Sequence, residues 1–264
     1  LMQRKLLLGV YENSPYSIST IGDKETIKTI TKKDILEFYA KYYVPNNMFI
    51  VVTGDIEDPL PFIKEQFVFS QSKLEGGRKE IVKKSLDKTI KISSKLVDST
   101  KGLICYDLPL FENEKSIASS MFYLVLNNFK GGILLNYLRT KFGIYDSSIY
   151  QLKDKVHSIV LIDFSIREED PEKVFVEIND FLGKLSFTSE EFLDIKNFFK
   201  SSLLMLEDNS NMISTIIANY ELRDIDPRMH LALEENVDKI SLAEFNGVKN
   251  YFNNSNRLIL EKEN

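Results

Sequence analysis

The stretch that most constrains the fold is residues 31–55, TKKDILEFYAKYYVPNNMFIVVTGD, which predicts one helix followed by one strand. Thr31 with Asp34 three residues later is typical of a capping box, because the hydroxyl can accept an orphan amide while the carboxylate lies at the positive end of the helix dipole. Apolar residues then recur at spacings of three and four until Pro45, which disfavours a helical conformation in the residue before it. Residues 48–52, MFIVV, are typical of a short strand that is buried on both faces.

A weaker copy of this unit lies near the C-terminus, at residues 241–263, and aligns with the first without a gap. Both the capping pair and the apolar run of the strand are repeated. A capped helix followed by a strand also occurs in unrelated proteins, so the match has an explanation without duplication. The paired residues are Thr31 with Ser241, Asp34 with Glu244, and 48–50 with 258–260.

Composition predicts a domain boundary at residues 71–88, QSKLEGGRKEIVKKSLDK, which lack aromatic residues and mix both charges. This composition is typical of a solvated linker, and the interleaved acids disfavour the alternative of a phosphate-binding patch. We therefore predict that residues 1–70 are the end of a first unit and residues 89–264 a complete second unit. If the units are duplicates, we expect most of the first one to lie before Leu1.

The second unit predicts an α+β fold, with an antiparallel or mixed sheet and helices packed on one of its faces. Alternating apolar residues predict the strands, and apolar residues at helical spacing predict the helices. Residues 12–30, before the first capped helix, are turn-rich and predict an ordered loop. Strands are predicted at 89–97, 101–108, 145–152 and 156–167, and helices at 114–128, 133–142, 171–185, 188–207, 212–223 and 228–237.

Composition excludes several classes of partner. The formal net charge of −5 and the pI near 5.3 give no basic surface for nucleic acid. No apolar run approaches the roughly 20 residues that cross a bilayer, so we expect no membrane partner. Cys105 is the single cysteine, which excludes an internal disulfide and is compatible with a reducing compartment. We expect a cytoplasmic location.

The residues that usually carry catalysis form no recognisable active site in this sequence. His230 and Glu234 could share a helix face, but two ligands without a third do not make a zinc site, and His157 lies in a predicted strand. No G-x-S-x-G motif accompanies the histidines, and Cys105 lies in an apolar strand that would make its thiol inert. We therefore predict no catalytic residue and no metal ligand in this chain.

One local signal points to ligand binding, in the segment YLRTKFGIYDSS at residues 137–148. Arg139 lies in the last turn of a predicted helix, shortly before Gly143 and Tyr145. Its five-donor guanidinium could hold a peptide carbonyl or a carboxylate. The alternative is that an arginine at a helix C-terminus is simply favoured by the helix dipole.

Two segments resemble the M16 metallopeptidases, the family that includes insulinase, pitrilysin and the mitochondrial processing peptidases. Residues 14–31 read SPYS-x-x-x-x-G-x-x-E-x-x-x-x-I-T. After two lysines, residues 34–55 read D-I-L-x-F-Y-x-x-Y-Y-x-P-N-N-M-x-x-V-V-x-G-D. Leu138-Arg139 followed by Gly143 is similar to the family's Leu-Arg-x-x-x-Gly. The resemblance implies duplicated α+β subdomains, of which the first is truncated here.

The resemblance also implies zinc-dependent peptide hydrolysis, but the family's zinc motif, His-x-x-Glu-His, does not occur in this chain. It would lie before Leu1 if the parent protein has it, and some family members have lost it. In active members an arginine and a tyrosine seven residues later hold the substrate near zinc. Arg139 matches the arginine, whereas the tyrosine position is Asp146 with Tyr145 beside it, and the family's glycine-rich loop is reduced to Gly131-Gly132.

From the resemblance we expect this chain to be the C-terminal, non-zinc-binding part of an M16 zinc metalloendopeptidase and to form a wall of its peptide-binding chamber. Arg139 and Tyr145 are the candidate substrate-binding residues, zinc is expected only in the parent protein, and the chain alone should be inactive. Its expected partners are a peptide or protein substrate and the missing N-terminal M16 subdomain or a catalytic partner subunit, with a homodimer also possible. The alternative is a non-catalytic M16-like subunit of a larger complex, and an unrelated α+β ligand-binding protein would require the match to be accidental.

Overall fold

The computed structural model describes residues 1–11, 15–18, 21–55, 57–67, 74, 89–108, 114–153, 158–207 and 209–263. The predicted linker at 71–88 lies outside these residues apart from Leu74, and so does His157. The division into residues 1–70 and 89–264 therefore stays a prediction. None of the helices within the described ranges combines the length and the apolar character needed to cross a bilayer.

The centre of the fold is a five-stranded mixed sheet with the strand order β1-β5-β2-β4-β3. β1 and β5 are parallel, and the other neighbouring strands are antiparallel. The last strand in sequence, β5, lies between the first two, so the end of the chain completes the interior of the sheet. The strands are β1 (Ile90–Ser94), β2 (Thr100–Leu108), β3 (Ser147–Lys153), β4 (Ser158–Ile166) and β5 (Ser255–Lys262).

Eleven α-helices are present in the described ranges, and most lie where the sequence predicts them. The predicted helix at 228–237 is instead a 3₁₀ turn, Pro227–His230, followed by a shorter α-helix. The helices are α1 (Met2–Val10), α2 (Lys24–Thr29), α3 (Lys32–Tyr42), α4 (Leu60–Gln66), α5 (Glu114–Asn127), α6 (Ile133–Phe142), α7 (Pro171–Lys184), α8 (Ser189–Glu207), α9 (Ser210–Leu222), α10 (Leu233–Lys239) and α11 (Leu242–Gly247).

The prediction of a loop over residues 12–30 missed helix α2. The Asp23 carboxylate caps this helix by accepting hydrogen bonds from the backbone N–H groups of Glu25 at 3.1 Å and Thr26 at 2.9 Å. An aspartate before a helix is a local signal for an N-terminus. Six residues are too few to show the apolar periodicity on which the prediction relied.

The main hydrophobic core lies between one face of the sheet and helices α5, α6, α7, α8, α10 and α11. Phe122 of α5 is fully buried, with ring centroids 5.6 Å from those of Phe245 and Phe252. Tyr106 of β2 brings a polar group into this layer, and its hydroxyl donates to Asn179 Oδ1 at 2.6 Å. Burial raises the pKa of Tyr106, so the hydroxyl stays protonated and acts as a donor. The predicted α+β fold, with helices packed on the sheet, is confirmed.

The opposite face of the sheet is also covered, by helix α1. Leu6, Val10 and Tyr11 are fully buried against a second cluster that includes Cys105 of β2. The Tyr11 hydroxyl donates to Asp107 Oδ1 at 2.7 Å and so adds a polar tie to the apolar contact. The apolar residues crowded into the first ten positions thus find their partner surface on the strands of the second unit.

Helix α3 forms as predicted but is not buried. Its capping box is complete, with Asp34 N–H donating to Thr31 Oγ1 at 3.2 Å and Thr31 N–H donating to Asp34 Oδ2 at 2.8 Å. Ile35, Leu36, Phe38 and Tyr39 of α3 are nevertheless more than half exposed. The prediction of a strand buried on both faces at 48–52 is wrong for this chain, because these residues pair with no described strand and a strand needs a hydrogen-bonded neighbour.

Candidate functional site

Helix α6 carries the candidate site and is bounded by two glycines that both have positive φ angles. Gly143 has φ +62° and ψ 23°, and its N–H donates to the carbonyl of Arg139 at 2.9 Å, which confirms the predicted glycine end of the helix. Gly132 precedes the helix with φ +81°. A side chain is disfavoured at both positions, so the two glycines fix where α6 begins and ends.

The turn between α5 and α6 is tightly constrained. Lys130, Gly131 and Gly132 all have positive φ, at 52°, 81° and 81°. A Cβ atom at Gly132 would lie 2.6 Å from the backbone oxygen of Asn127, which is closer than packed atoms approach. The glycine pair therefore allows the chain to reverse direction closely. Phe129, which precedes the turn, packs against Phe198 with ring centroids 5.4 Å apart.

Asn136 connects this turn to Arg139. Its Nδ2 donates to the carbonyl oxygen of Lys130 at 2.9 Å, and its Oδ1 accepts a hydrogen bond from Arg139 Nη2. Arg139 is exposed and forms no ion pair with an acid among the described residues. A guanidinium has five N–H donors, so most of its donors are left for a ligand.

Tyr145 and Asp146 follow Gly143 and differ sharply in their surroundings. Tyr145 is 80% exposed. Asp146 belongs to the sheet edge, where its backbone carbonyl accepts from Ser165 N–H at 2.8 Å and its Oδ2 accepts from Ser165 Oγ at 2.5 Å. The Ser165 hydrogen bond and, to a smaller extent, the charge of Lys101 at 3.5 Å lower the pKa of Asp146. The residue at the family's tyrosine position is thus bonded to the sheet, whereas Tyr145 projects into solvent.

A cavity of about 610 Å³ lies beside this corner. Tyr145 lines it, but Arg139 does not, so the structure does not bring the two predicted site residues into one pocket. Its walls mix both charges with apolar groups. The lining residues are Ser99, Phe142 to Asp146, and Ser165 to Glu169.

No group of three histidine, cysteine, aspartate or glutamate side chains is placed to hold a metal ion within the described residues. The His230 ring lies edge-on to Tyr220, with centroids 6.2 Å apart, and Cys105 is fully buried beneath α1. The structure therefore offers no ligand set that fits zinc in this part of the chain. That the whole chain lacks a metal site stays a prediction.

Arg139 and Tyr145 were predicted from the sequence, whereas Asn136 was not. The position of Asn136 three residues before Arg139 could have predicted their contact, because residues at this spacing are neighbours on one helix face. Its second bond, to Lys130, depends on the path of the turn. That contact could not be read from spacing alone.

Comparisons with known proteins place the chain in a family. The sequence profile described as the peptidase M16 inactive domain matches residues 29–199, which is more than half of the chain. The chain therefore belongs to the peptidase M16 family, in the part described as its inactive domain, and the predicted resemblance is confirmed.

Two curated relatives are zinc proteases by name. The chain is 21% identical over 211 residues to an uncharacterized zinc protease of Rickettsia felis, covering 79% of this chain and 51% of that protein. It is 22% identical over 237 residues to the zinc protease PqqE of Helicobacter pylori, covering 80% of this chain and 50% of that protein. The chain thus spans about half the length of these two relatives.

Solved structures share the fold at low identity. The crystal structure of a peptidase M16 inactive domain from Pseudomonas fluorescens matches with a TM-score of 0.82 and 16% identity. The match covers 100% of this chain and 65% of that chain. This likeness supports the α+β architecture with its five-stranded sheet.

Proposed function

We propose that this chain is the non-zinc-binding part of an M16 zinc metalloendopeptidase and forms one wall of the chamber that holds the peptide. The observation that carries the proposal is the match to the M16 inactive domain in a sequence that contains no His-x-x-Glu-His. Relatives named as zinc proteases are about twice as long as the matched region, which leaves room for a zinc-bearing part. A cytoplasmic location remains part of the proposal.

Zinc belongs to the rest of the parent protein in this proposal, because the described residues offer no ligand set for it. When bound there, zinc would polarise the scissile carbonyl and activate water. The residues of this chain act on the peptide instead. On its own the chain is therefore expected to be inactive.

Arg139 is the proposed main substrate contact. Its guanidinium is exposed, carries no acidic partner among the described residues, and is held at one end by Asn136. Arginine can donate a hydrogen bond to a peptide carbonyl, or two parallel hydrogen bonds to a carboxylate, and the second arrangement fixes the orientation of the bound group. Tyr145 contributes an exposed phenol at the adjacent corner and is the second proposed contact.

The proposed partner is the N-terminal M16 subdomain or a catalytic partner subunit, and the exposed face of α3 supports it. In the C-terminal copy of the repeated unit, Phe245, Val248 and Phe252 are buried in the main core. The matching residues Ile35 and Phe38 of α3 are more than half exposed. A partner with a similar layer of sheet and helices would bury this face, and a second copy of the chain is another possible arrangement.

The second candidate function is a non-catalytic M16-like subunit that binds a peptidase or another component of a complex. The same apolar face of α3 favours it, since an apolar face of this kind suits a stable protein interface. Zinc content separates the two candidates. A catalytic parent should hold zinc in stoichiometric amount, whereas a non-catalytic subunit should hold none.

The test is made on the natural full-length protein. We would measure zinc per molecule by atomic emission and cleavage of fluorescein-labelled denatured casein. Arg139→Ala should lower kcat/KM by about tenfold to a hundredfold, the usual effect of losing a hydrogen bond to a charged group. Arg228→Ala is the matched control, because this exposed arginine pairs with Asp226 of its own turn.

Three results decide between the candidates. The proposal would be supported if the full-length protein holds zinc and cleaves casein, and if kcat/KM falls in Arg139→Ala but not in Arg228→Ala. A natural protein without zinc or cleavage would favour the non-catalytic subunit. Full activity in Arg139→Ala would remove the proposed role of this residue.

A further inference from the structure

We propose that Asn136 is the positioning residue for Arg139 and that it ties the guanidinium to the rigid turn at residues 130–132. This inference rests on the proposed role of Arg139 in holding the peptide. Asn136 itself does not need to touch the peptide. It determines where the arginine points before the peptide arrives.

The geometry uses both ends of the Asn136 side-chain amide. Nδ2 donates to the Lys130 carbonyl oxygen at 2.9 Å, and Oδ1 accepts from Arg139 Nη2. Turning the amide over would place its NH₂ against a guanidinium that only donates, and its oxygen against a carbonyl that only accepts. One orientation of Asn136 is therefore strongly favoured, and Arg139 always meets an acceptor.

The anchor for this amide is a fixed part of the backbone. The N–H groups of Gly131 and Gly132 donate to the carbonyls of Asn128 and Phe129 at 3.0 and 2.9 Å, and a Cβ at Gly132 would approach the Asn127 oxygen to 2.6 Å, so the turn is hydrogen-bonded and closely packed. A Cβ at Gly131 would lie 3.4 Å from Asn136 Nδ2, which is ordinary van der Waals contact, so the amide packs directly against the turn. Arg139 is thus linked through one side chain to a rigid turn.

The expected consequence is an effect on binding. An exposed arginine loses rotamer freedom when it grips a ligand, and a residue that restrains it beforehand reduces this loss. Removing Asn136 should therefore raise KM by about twofold to tenfold and leave kcat nearly unchanged. The effect should vanish when Arg139 is absent, because Asn136 would then have nothing to position.

The experiment compares Asn136→Ala, Arg139→Ala and the double variant in the natural full-length protein. KM and kcat are measured on fluorescein-labelled denatured casein, and the Kd for the same probe is measured by fluorescence anisotropy on EDTA-treated protein. Asn219→Ala is the matched control, because Asn219 Nδ2 also donates to a backbone carbonyl, that of Thr215 at 2.9 Å, but its side chain forms no hydrogen bond with an arginine in the described part of the chain. Melting temperatures report any loss of folding.

We expect Asn136→Ala to raise KM and Kd together in the parent background and to change neither in the Arg139→Ala background. An equal rise in both backgrounds, or no rise at all, would overturn the inference. Should Asn136→Ala fail to fold, Asn136→Leu removes both hydrogen bonds at a similar side-chain size and without adding a charge, and the same criteria apply. Failure of the proposed function is seen separately, as an Arg139→Ala variant with unchanged KM, kcat and Kd.

Discussion

Three glycines provide a graded test of how the turns around α6 are held. Gly132 has φ +81°, and a Cβ there would lie 2.6 Å from the Asn127 oxygen and 3.0 Å from its carbonyl carbon. Gly143 has φ +62°, but a Cβ there would meet nothing within 4 Å. Gly183 lies in α7 without a positive φ, and a Cβ there also meets nothing within 4 Å. Backbone strain alone is therefore tested at Gly143, strain together with a steric clash at Gly132, and neither at Gly183.

The structure gives a different free-energy change for alanine at each site. Gly183→Ala should raise the free energy of unfolding by about 0.5–1 kcal/mol, because alanine loses less backbone entropy in a helix than glycine. Gly143→Ala should lower it by about 1–2 kcal/mol, the cost of a left-handed conformation for a residue with a Cβ. Gly132→Ala adds a collision with backbone atoms that cannot rotate away, so its total loss should reach about 3 kcal/mol or more.

Urea denaturation followed by circular dichroism measures these changes in the free energy of unfolding. In thermal melts, each kcal/mol corresponds to about 2–4 °C for a chain of this size. The expected order of the free energies of unfolding, from most to least stable, is Gly183→Ala, parent, Gly143→Ala, Gly132→Ala. Equal losses at Gly132 and Gly143 would refute the proposed collision, and a neutral Gly143→Ala would refute the left-handed helix end.

Three further predictions test charge and burial. Glu177 accepts a hydrogen bond from Lys141 that lowers its pKa below the ordinary 4.5, so Glu177→Gln should lose stability at pH 7, and the difference should close as the pH falls through 4.5 and below. Burial and, to a smaller extent, the charge of Arg223 lower the pKa of Lys153 to about 8. The free energy of unfolding of the parent, measured in urea relative to Lys153→Met, should therefore rise between pH 8 and 10.5, and this difference cancels the opposite effect of buried tyrosines such as Tyr106, whose raised pKa lowers stability above pH 10. Cys105 is fully buried and should react with Ellman's reagent only after urea unfolding, so rapid reaction of the native thiol would contradict its place beneath α1.

Helix boundaries could be predicted from the sequence where a glycine or a capping residue marks the end of the helix. Helix α6 begins at Ile133 and ends at Phe142 as predicted, because a glycine lies on each side of it. Helix α8 was likewise predicted from Thr188 and Glu191, and Glu191 accepts from the Thr188 N–H at 2.8 Å. In both cases the deciding contacts lie within a few residues along the chain.

The candidate site was predictable only where a motif marked it. Arg139 was marked by its place at the end of a predicted helix and by the resemblance, Tyr145 was assigned from the resemblance, and the substrate roles of both remain predictions. The bonding of Asp146 to Ser165 depends on the register of β3 against β4, which places residues 19 positions apart side by side. The hydrogen bond from Asn136 to the Lys130 carbonyl depends on the path of the turn at residues 130–132. Contacts of this kind arise from the fold and are not contained in the spacing of residues.

The repeated unit shows most clearly what a local pattern can and cannot determine. Both copies form the capped helix, because a capping box is complete within four residues. Only the second copy forms a strand, in which Leu258 lies opposite both Ile90 of β1 and Leu103 of β2. Residues 48–50 carry the same apolar pattern but pair with no described strand. An apolar, β-branched run therefore specifies that a segment can join a sheet, and whether it does so depends on a neighbouring strand, which the described residues supply only to the second copy.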